Sequence, residues 1–404
     1  MLRATFRSLG GFNYRLWAAG ALVSNVGAWM QRTAQDWMVM TELTRNDAAA
    51  VGLTMALQFG PSLFLLPIAG YVADRFDRRR VLLVTQSLQA VLALALGILA
   101  LTGVVQLWMV YLFALMLGCV TAIDAPVRQT FATELVSDAN LSNAVALNST
   151  SYQLARMAGP AIAGLLIAAI GTGWLFILNF ASFGAVIAAL SAMRVAELHR
   201  HERAGRRPAS LAEGFRYVRG RSDIMAVLSM LFLVAMFVMN FAVYISSMAV
   251  TVFGTGAGGF GMLTSMLAIG AVSGALGSAR REAPRATLLP ICAALFAVFF
   301  TAAALMPSYI GFGIVLVGLG WALQTFLTTA NSTVQLRTDR EMRGRVMALY
   351  MGVLNGCTLF GAPFVGWVAN HYGARSSLMV GATAGLLAAV VGLRYLVRAA
   401  RDTG

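Results

Sequence analysis

The chain has 404 residues, 59% of them hydrophobic and 11% charged, with a formal charge of +14. A soluble domain carries about 25% charged residues, so the composition excludes a soluble globular protein and describes a polytopic membrane protein. Every basic side chain among the 30 Lys+Arg is arginine, and most stand between apolar stretches, so membrane topology and anionic headgroups explain the charge better than nucleic acid does.

Apolar stretches of about 20 residues cross a bilayer as helices. They fall near 15–41, 50–72, 80–102, 106–126, 143–169, 173–194, 224–250, 258–279, 287–306, 309–331, 345–369 and 376–398, which predicts an all-α protein of twelve spans. The first stretch is too long and too polar for a cleavable signal. Loops on one side carry only Arg45 and Arg375, and the other side collects the remaining loop arginines. That asymmetry predicts cytoplasmic termini.

The first span contains Asn25, Gln31, Arg32 and Asp36. Arg32 and Asp36 are one helical turn apart, so their side chains can meet. Ionisable groups inside a membrane are costly and functional by default. Asp36 is the first candidate for a proton site, since a partly desolvated carboxylate loads and unloads nearer neutral pH. A structural pair with Arg32 is equally compatible with the sequence, and Arg32 can instead meet an anionic substrate. Gln58 is a polar residue in the second span.

The stretch between the second and third spans reads GYVADRFDRRR. Gly70, Asp74, Arg75, Arg78 and Arg79 match the G-x-x-x-D-R-x-G-R-R pattern of the major facilitator superfamily, which the chain resembles. Asp77 replaces the usual glycine of that pattern. Asp tolerates left-handed backbone better than most residues, so a left-handed turn is expected to survive there. Asp74 is expected to face the start of the eleventh span, near residues 344–346, where a helix dipole favours an anion. Arg75, Arg78 and Arg79 can pair with acidic groups across a cytoplasmic gate, in contacts that exist only when the cytoplasmic side is closed.

Asp124, near the end of the fourth span, is the second proton-site candidate. In the fifth span Arg156 precedes Gly159-Pro160 and Gly164, and can bind Asp124 or an anion. Proline interrupts a helix ladder and glycines admit close helix approach, so a bend and a tight interface are expected there.

Residues 195–223 form the longest polar stretch and divide the chain into six-span halves, 1–194 and 224–404. Within it Ser210 and Glu213 make a capping box for a short amphipathic helix at the membrane surface. The halves repeat: Ala146-Leu147, Gly159 and Gly164 recur at one constant offset as Ala348-Leu349, Gly361 and Gly366. This suits parallel repeats about an axis along the membrane normal. Asn240, Gln324 and Asn355 are further polar candidates for a central cavity, with Asn25, Gln31 and Gln58. Others of their kind only bond between helices. Gly270-x-x-x-Gly274 reads as plain packing.

Cys119, Cys292 and Cys357 form no C-x-x-C pair, and no H-E-x-x-H is present, so neither a disulfide framework nor a metal site is expected. No hydrolase motif points to an enzyme. Within the superfamily, Ala28-Trp29-Met30-Gln31, Asp124-Ala125-Pro126 with Arg128-Gln129, and Ala155-Arg156 before Gly159-Pro160 resemble the macrolide-efflux and enterobactin-exporter group. That resemblance implies a drug:proton antiporter in a bacterial inner membrane, with both termini cytoplasmic. It would export a small, largely apolar, drug-like or siderophore-like compound by alternating access, as a monomer, with the proton as its coupling ion and no other cofactor. A facilitator-type importer or lipid transporter of the same fold is the alternative.

Overall fold

The computed structural model describes residues 7–137, 140–199, 211–279, 286–339 and 341–402, without the side chains of Leu66, Asp74, Ser142, Ala146, Leu211, Ala212 and residues 398–402. The first spans are α1 (Phe12–Met38), α2 (Ala48–Phe59), the single turn α3 (Pro61–Phe64), α4 (Leu66–Arg75), α5 (Arg78–Leu101), α6 (Leu107–Glu134), α7 (Leu141–Ile170) and α8 (Thr172–Ser191). After the linker come α9 (Leu211–Arg219), α10 (Ser222–Leu233), α11 (Phe241–Ser247), α12 (Ala257–Ala279), α13 (Leu288–Leu305), α14 (Tyr309–Arg337), α15 (Arg343–Gly356), α16 (Thr358–Tyr372) and α17 (Ala374–Asp402).

Among the described residues, ten helices are long and apolar enough to cross a membrane. The predicted second span is two pieces bent by 63°, which make an eleventh crossing when counted as one span. Pro61 and Pro67 flank the break, and each lacks the N–H that a continuous ladder needs. The remaining long helix is α1, with 27 residues. Its Asn13, Asn25, Gln31, Arg32, Gln35 and Asp36 make it more polar than the others.

The predicted seventh span is also irregular. After α10 a π-helical turn, Val234–Val238, leads to a break at Asn240 (φ −83°, ψ 44°) before α11. Asn240 Nδ2 donates to the Met236 carbonyl at 2.7 Å, and the Tyr244 hydroxyl donates to the Phe237 carbonyl at 2.6 Å. Side chains thus satisfy carbonyls that the broken ladder frees, as hydrocarbon requires.

The chain sorts into two compact units, residues 1–43 with 61–205 and residues 44–60 with 206–404. Residues 44–60 lie in the first predicted half but group with the second unit through α2 against α16. Small residues make that contact. A Cβ on Gly52 would fall on the Ala362 carbonyl, and one on Gly366 on the Ala48 carbonyl. Asp47 caps α2 by accepting from Ala50 N at 3.0 Å, and Asn370 holds it by donating to Asp47 Oδ1 at 2.6 Å.

In the first unit α1 packs against α7 and α8, and α5 against α6 and α8. Tyr14, Trp17, Leu82, Val127 and Phe131 form part of its core, with Trp17 edge-on to Phe131 at 5.3 Å. In the second unit α12 packs on α14 and α13 on α17. Gly270 and Gly274 bring α12 onto the carbonyls of Val317 and Trp321, the packing role read from their spacing.

The repeat is visible as equivalent close contacts. Gly159 of α7 lies against α1, where a Cβ would come 2.5 Å from Trp29 Cβ. Gly361 of α16, its partner in the repeat, lies against the Met236 carbonyl in the π-helical turn of the seventh span. In each unit the fifth-position helix meets the first-position helix through the same glycine.

Candidate functional site

Asp124 is the centre of a buried polar network in the first unit. Its Oδ1 accepts from Thr85 Oγ1 at 2.6 Å and Gln86 Nε2 at 2.7 Å. Its Oδ2 accepts from Arg128 Nε at 3.0 Å, one turn along α6. Arg128 also donates to Asn25 Oδ1 at 3.1 Å and lies 5.7 Å over the Trp17 ring. Ser24 donates to Gln86 Oε1 at 3.3 Å. The network joins α1, α5 and α6, and the side chains of Asp124 and Arg128 are only 6% and 11% exposed. The carboxylate is thus committed to a structural ion pair with Arg128 and to hydrogen bonds from α5. Arg156 therefore does not take Asp124, whose partner is Arg128.

The predicted polar loop at 70–80 is mostly helical. α4 runs through Gly70 to Arg75 and α5 begins at Arg78, leaving Phe76 and Asp77 between them. Asp77 is extended (φ −65°, ψ 114°), so no left-handed turn exists for it to preserve. Its carboxylate instead accepts from Arg80 N at 3.0 Å and caps α5. Gly70 is exposed on α4, with nothing near its missing Cβ. The side chain of Asp74 lies outside the described residues. Arg78 pairs with Glu134 at the end of α6 and donates to the Ala73 carbonyl at 3.2 Å. Arg79 Nε donates to the Leu190 carbonyl at 2.7 Å, near the C-terminus of α8, where a cation suits the helix dipole. Both arginines bind within their own unit. Ion pairing between loop arginines and a neighbouring helix end cannot be read from the motif alone.

Arg32 and Arg156 meet at one aromatic ring. The Arg32 guanidinium lies 5.0 Å from the Trp29 ring centroid and the Arg156 guanidinium 5.7 Å. Tyr152 stands edge-on to the same ring at 6.2 Å. Gly159 sets this up by admitting Trp29 against the α7 backbone. Pro160 sits inside α7, which runs unbroken from Leu141 to Ile170, and Gly164 is buried further along it. Asp36 is buried at 6% exposure in the last turn of α1. The aromatic partners Trp29 and Tyr152 carry no charge, so a search for ionisable residues passes over them.

The other polar candidates separate. Gln31 accepts from Asn179 of α8, and Asn25 belongs to the Asp124 network, so both join helices within the first unit. Asn240 repairs the break before α11. Gln58 is buried in α2. Gln324 donates to Thr328 at 3.3 Å, and Asn355 is exposed and donates to the Met351 carbonyl at 3.2 Å.

The linker helix forms where the pattern predicts, although Ser210 lies outside the described residues. α9 docks on the second unit. Glu213 pairs with Arg345 at 3.1 Å, the Tyr217 hydroxyl donates to Asp339 Oδ2 at 2.9 Å, and Gly214 sits against the Arg345 backbone.

The enterobactin exporter EntS of Shigella flexneri is 26% identical over 316 residues, 77% of this chain and 74% of that protein. The staphyloferrin A transporter of Staphylococcus aureus is 28% identical over 144 residues, 35% of this chain. The uncharacterized MFS-type transporter YfiS of Bacillus subtilis is 26% identical over 185 residues, 45% of this chain. The matched regions span only 36% and 42% of the lengths of these last two relatives. Among solved structures, the nucleoside transporter NupG superposes with a TM-score of 0.72 at 13% identity, over 95% of this chain and 99% of that one. A bacterial homolog of the human lysosomal transporter Spinster gives 0.68 at 15% identity, over 95% of each chain. These structures share the major facilitator fold. The profile of the transmembrane secretion effector family matches residues 6–403, so the chain belongs to that family of major facilitator transporters, and is a multi-pass membrane transporter and not an enzyme.

Proposed function

We propose that this transporter exports a small, largely apolar compound, drug-like or siderophore-like, by proton-coupled alternating access. The observation that carries the reading is the similarity to an enterobactin exporter over 77% of the chain. The staphyloferrin A transporter, similar over a shorter stretch, supports a siderophore-like cargo. Asp36 is the proposed proton site. It is a carboxylate buried in the most polar span, and Asp124, the other candidate, is committed to Arg128. The arginine asymmetry between loops supports cytoplasmic termini in a bacterial inner membrane. The motif at Gly70–Arg79 is proposed to bias the conformational equilibrium without touching cargo. The protein is proposed to work as a monomer.

Inverted membrane vesicles containing the protein test the direction. With an imposed proton gradient, acid inside, an exporter accumulates a catecholate siderophore in the vesicle lumen, and a protonophore abolishes the accumulation. Accumulation only in right-side-out vesicles would contradict export.

A further inference from the structure

A narrow cleft lies between α10, α13, α14 and α17 of the second unit and takes no part in the transport reading above. Ala226, Met230, Leu289, Pro290 and Leu396 make its apolar walls, and Arg337 and Tyr395 its polar end. Gly392 also lines it, where a Cβ would fall 2.9 Å from Pro290 Cβ and 3.0 Å from Met230 Cε. That glycine lets α17 close against α10 and α13 along one side of the cleft.

The polar end lies where the membrane helices end. Arg337 is the last residue of α14, Ser222 is the first of α10, and the last apolar span stops at Val397, just past Tyr395. This is the arginine-rich side, proposed above to be cytoplasmic. Met230 stands eight residues beyond Ser222 in the same helix, about 12 Å deeper. Ile291, Leu336, Leu393 and Val397, each next in sequence to a lining residue, are exposed. A wall of that kind faces acyl chains.

Charge at the polar end is unbalanced. Arg221 donates to both oxygens of Asp223, at 3.1 and 3.0 Å, and so takes most of that carboxylate. Arg337 comes no closer to Asp223 than 3.8 Å. One Nη of Arg337 donates to the Tyr395 hydroxyl at 2.8 Å, a neutral partner, and its Nε and other Nη make no hydrogen bond among the described residues. Arg394, beside Tyr395 in sequence, is exposed and forms no ion pair among the described residues. The open edge of a guanidinium is a planar fork that takes a phosphate in two parallel bonds. A free phosphate would fill that fork and leave the cleft empty. A zwitterionic lipid would fill the cleft but bring its own cation to the arginine.

We propose that Arg337, Tyr395 and the cleft below them bind one anionic phospholipid of the inner leaflet, its phosphate on Arg337 and one acyl chain along Met230 and Leu289. The site is independent of the cargo and of the direction of transport.

Displacement of a fluorescent phosphatidylglycerol from the purified full chain, in a neutral detergent, tests the site. The competitors are unlabelled phosphatidylglycerol, phosphatidylcholine with the same chains, and glycerol phosphate. Phosphatidylglycerol is expected to compete about fivefold better than phosphatidylcholine, and glycerol phosphate not at all. Arg337→Gln is expected to remove the preference between the two lipids. Ala226→Phe fills the cleft and keeps every charge. It is expected to weaken the labelled lipid about tenfold, as leaving two methylenes of its chain unburied would. If the glutamine variant does not fold, Ala226→Phe carries the test. Equal competition by the two lipids would overturn the site, as would displacement by glycerol phosphate as strong as that by phosphatidylglycerol. So would wild-type binding in either variant.

Discussion

The Arg128 Nε donates to Asp124 Oδ2 at 3.0 Å across one turn of α6, and that single bond decides how the charges of the first unit are divided. It commits Asp124 to structure and leaves Arg156 to the Trp29 ring. Breaking a buried ion pair by removing one partner costs about 3–5 kcal/mol, because the other charge stays behind. Asp124→Ala is therefore expected to lower thermal stability severely. Asp124→Asn combined with Arg128→Gln is expected to recover much of it. Thermal unfolding of the purified variants, followed in detergent, checks both.

Asp77 occupies the place of a motif glycine and works as a helix cap. Capping carboxylates are worth about 1 kcal/mol against alanine, and only a few tenths against glycine. Asp77→Ala is expected to lower the unfolding temperature measurably, whereas Asp77→Gly, which restores the family pattern, is expected to be nearly neutral. Arg78 and Glu134 are in direct contact, so a double-mutant cycle on Arg78→Gln and Glu134→Gln is expected to give a coupling of about 0.5–3 kcal/mol.

Gly159 and Gly361 hold equivalent helix contacts. A methyl group at either position has no room, and overpacking costs about 1–3 kcal/mol. Gly159→Ala and Gly361→Ala are both expected to destabilise the protein, while Gly344→Ala, whose Cβ would meet nothing within 4 Å, serves as the neutral control. Unfolding temperatures of the three variants rank them.

Asp74→Asn is expected to express at normal levels and to transport slowly, as the gate proposal requires. Initial rates of cargo export, normalised to protein, test it, and wild-type kinetics in that variant would defeat the gate.

Glu213–Arg345 is a half-exposed pair, and such pairs contribute about 0–1 kcal/mol. Arg345→Ala with Tyr217→Phe is expected to release α9 without unfolding the spans. Faster tryptic cleavage at Arg216 and Arg219, at an unchanged unfolding temperature, is the sign.

The sequence made the architecture legible because bilayer physics writes it plainly. Long apolar runs, arginines in loops and repeated glycines each follow from a single constraint. The break after Phe64 was less visible, since Pro61 and Pro67 stand inside an otherwise apolar run. The Asp124–Arg128 pair was available from its spacing alone, yet Thr85 and Gln86 come from another helix and have no local signal. The partners of the motif arginines were hidden for a related reason: Arg78 and Arg79 find them on α6 and α8, which are distant in sequence. The Trp29 cluster was half legible, as two intramembrane charges without the aromatic ring that unites them.

The most direct test of the account is cargo-driven proton movement in proteoliposomes, with wild type and Asp36→Asn side by side. Catecholates, macrolides and cationic dyes are presented in turn, and internal pH is recorded. The account predicts proton flux with an anionic catecholate, lost in Asp36→Asn while binding of the cargo persists. Catecholate-driven flux of wild-type size in Asp36→Asn would contradict it.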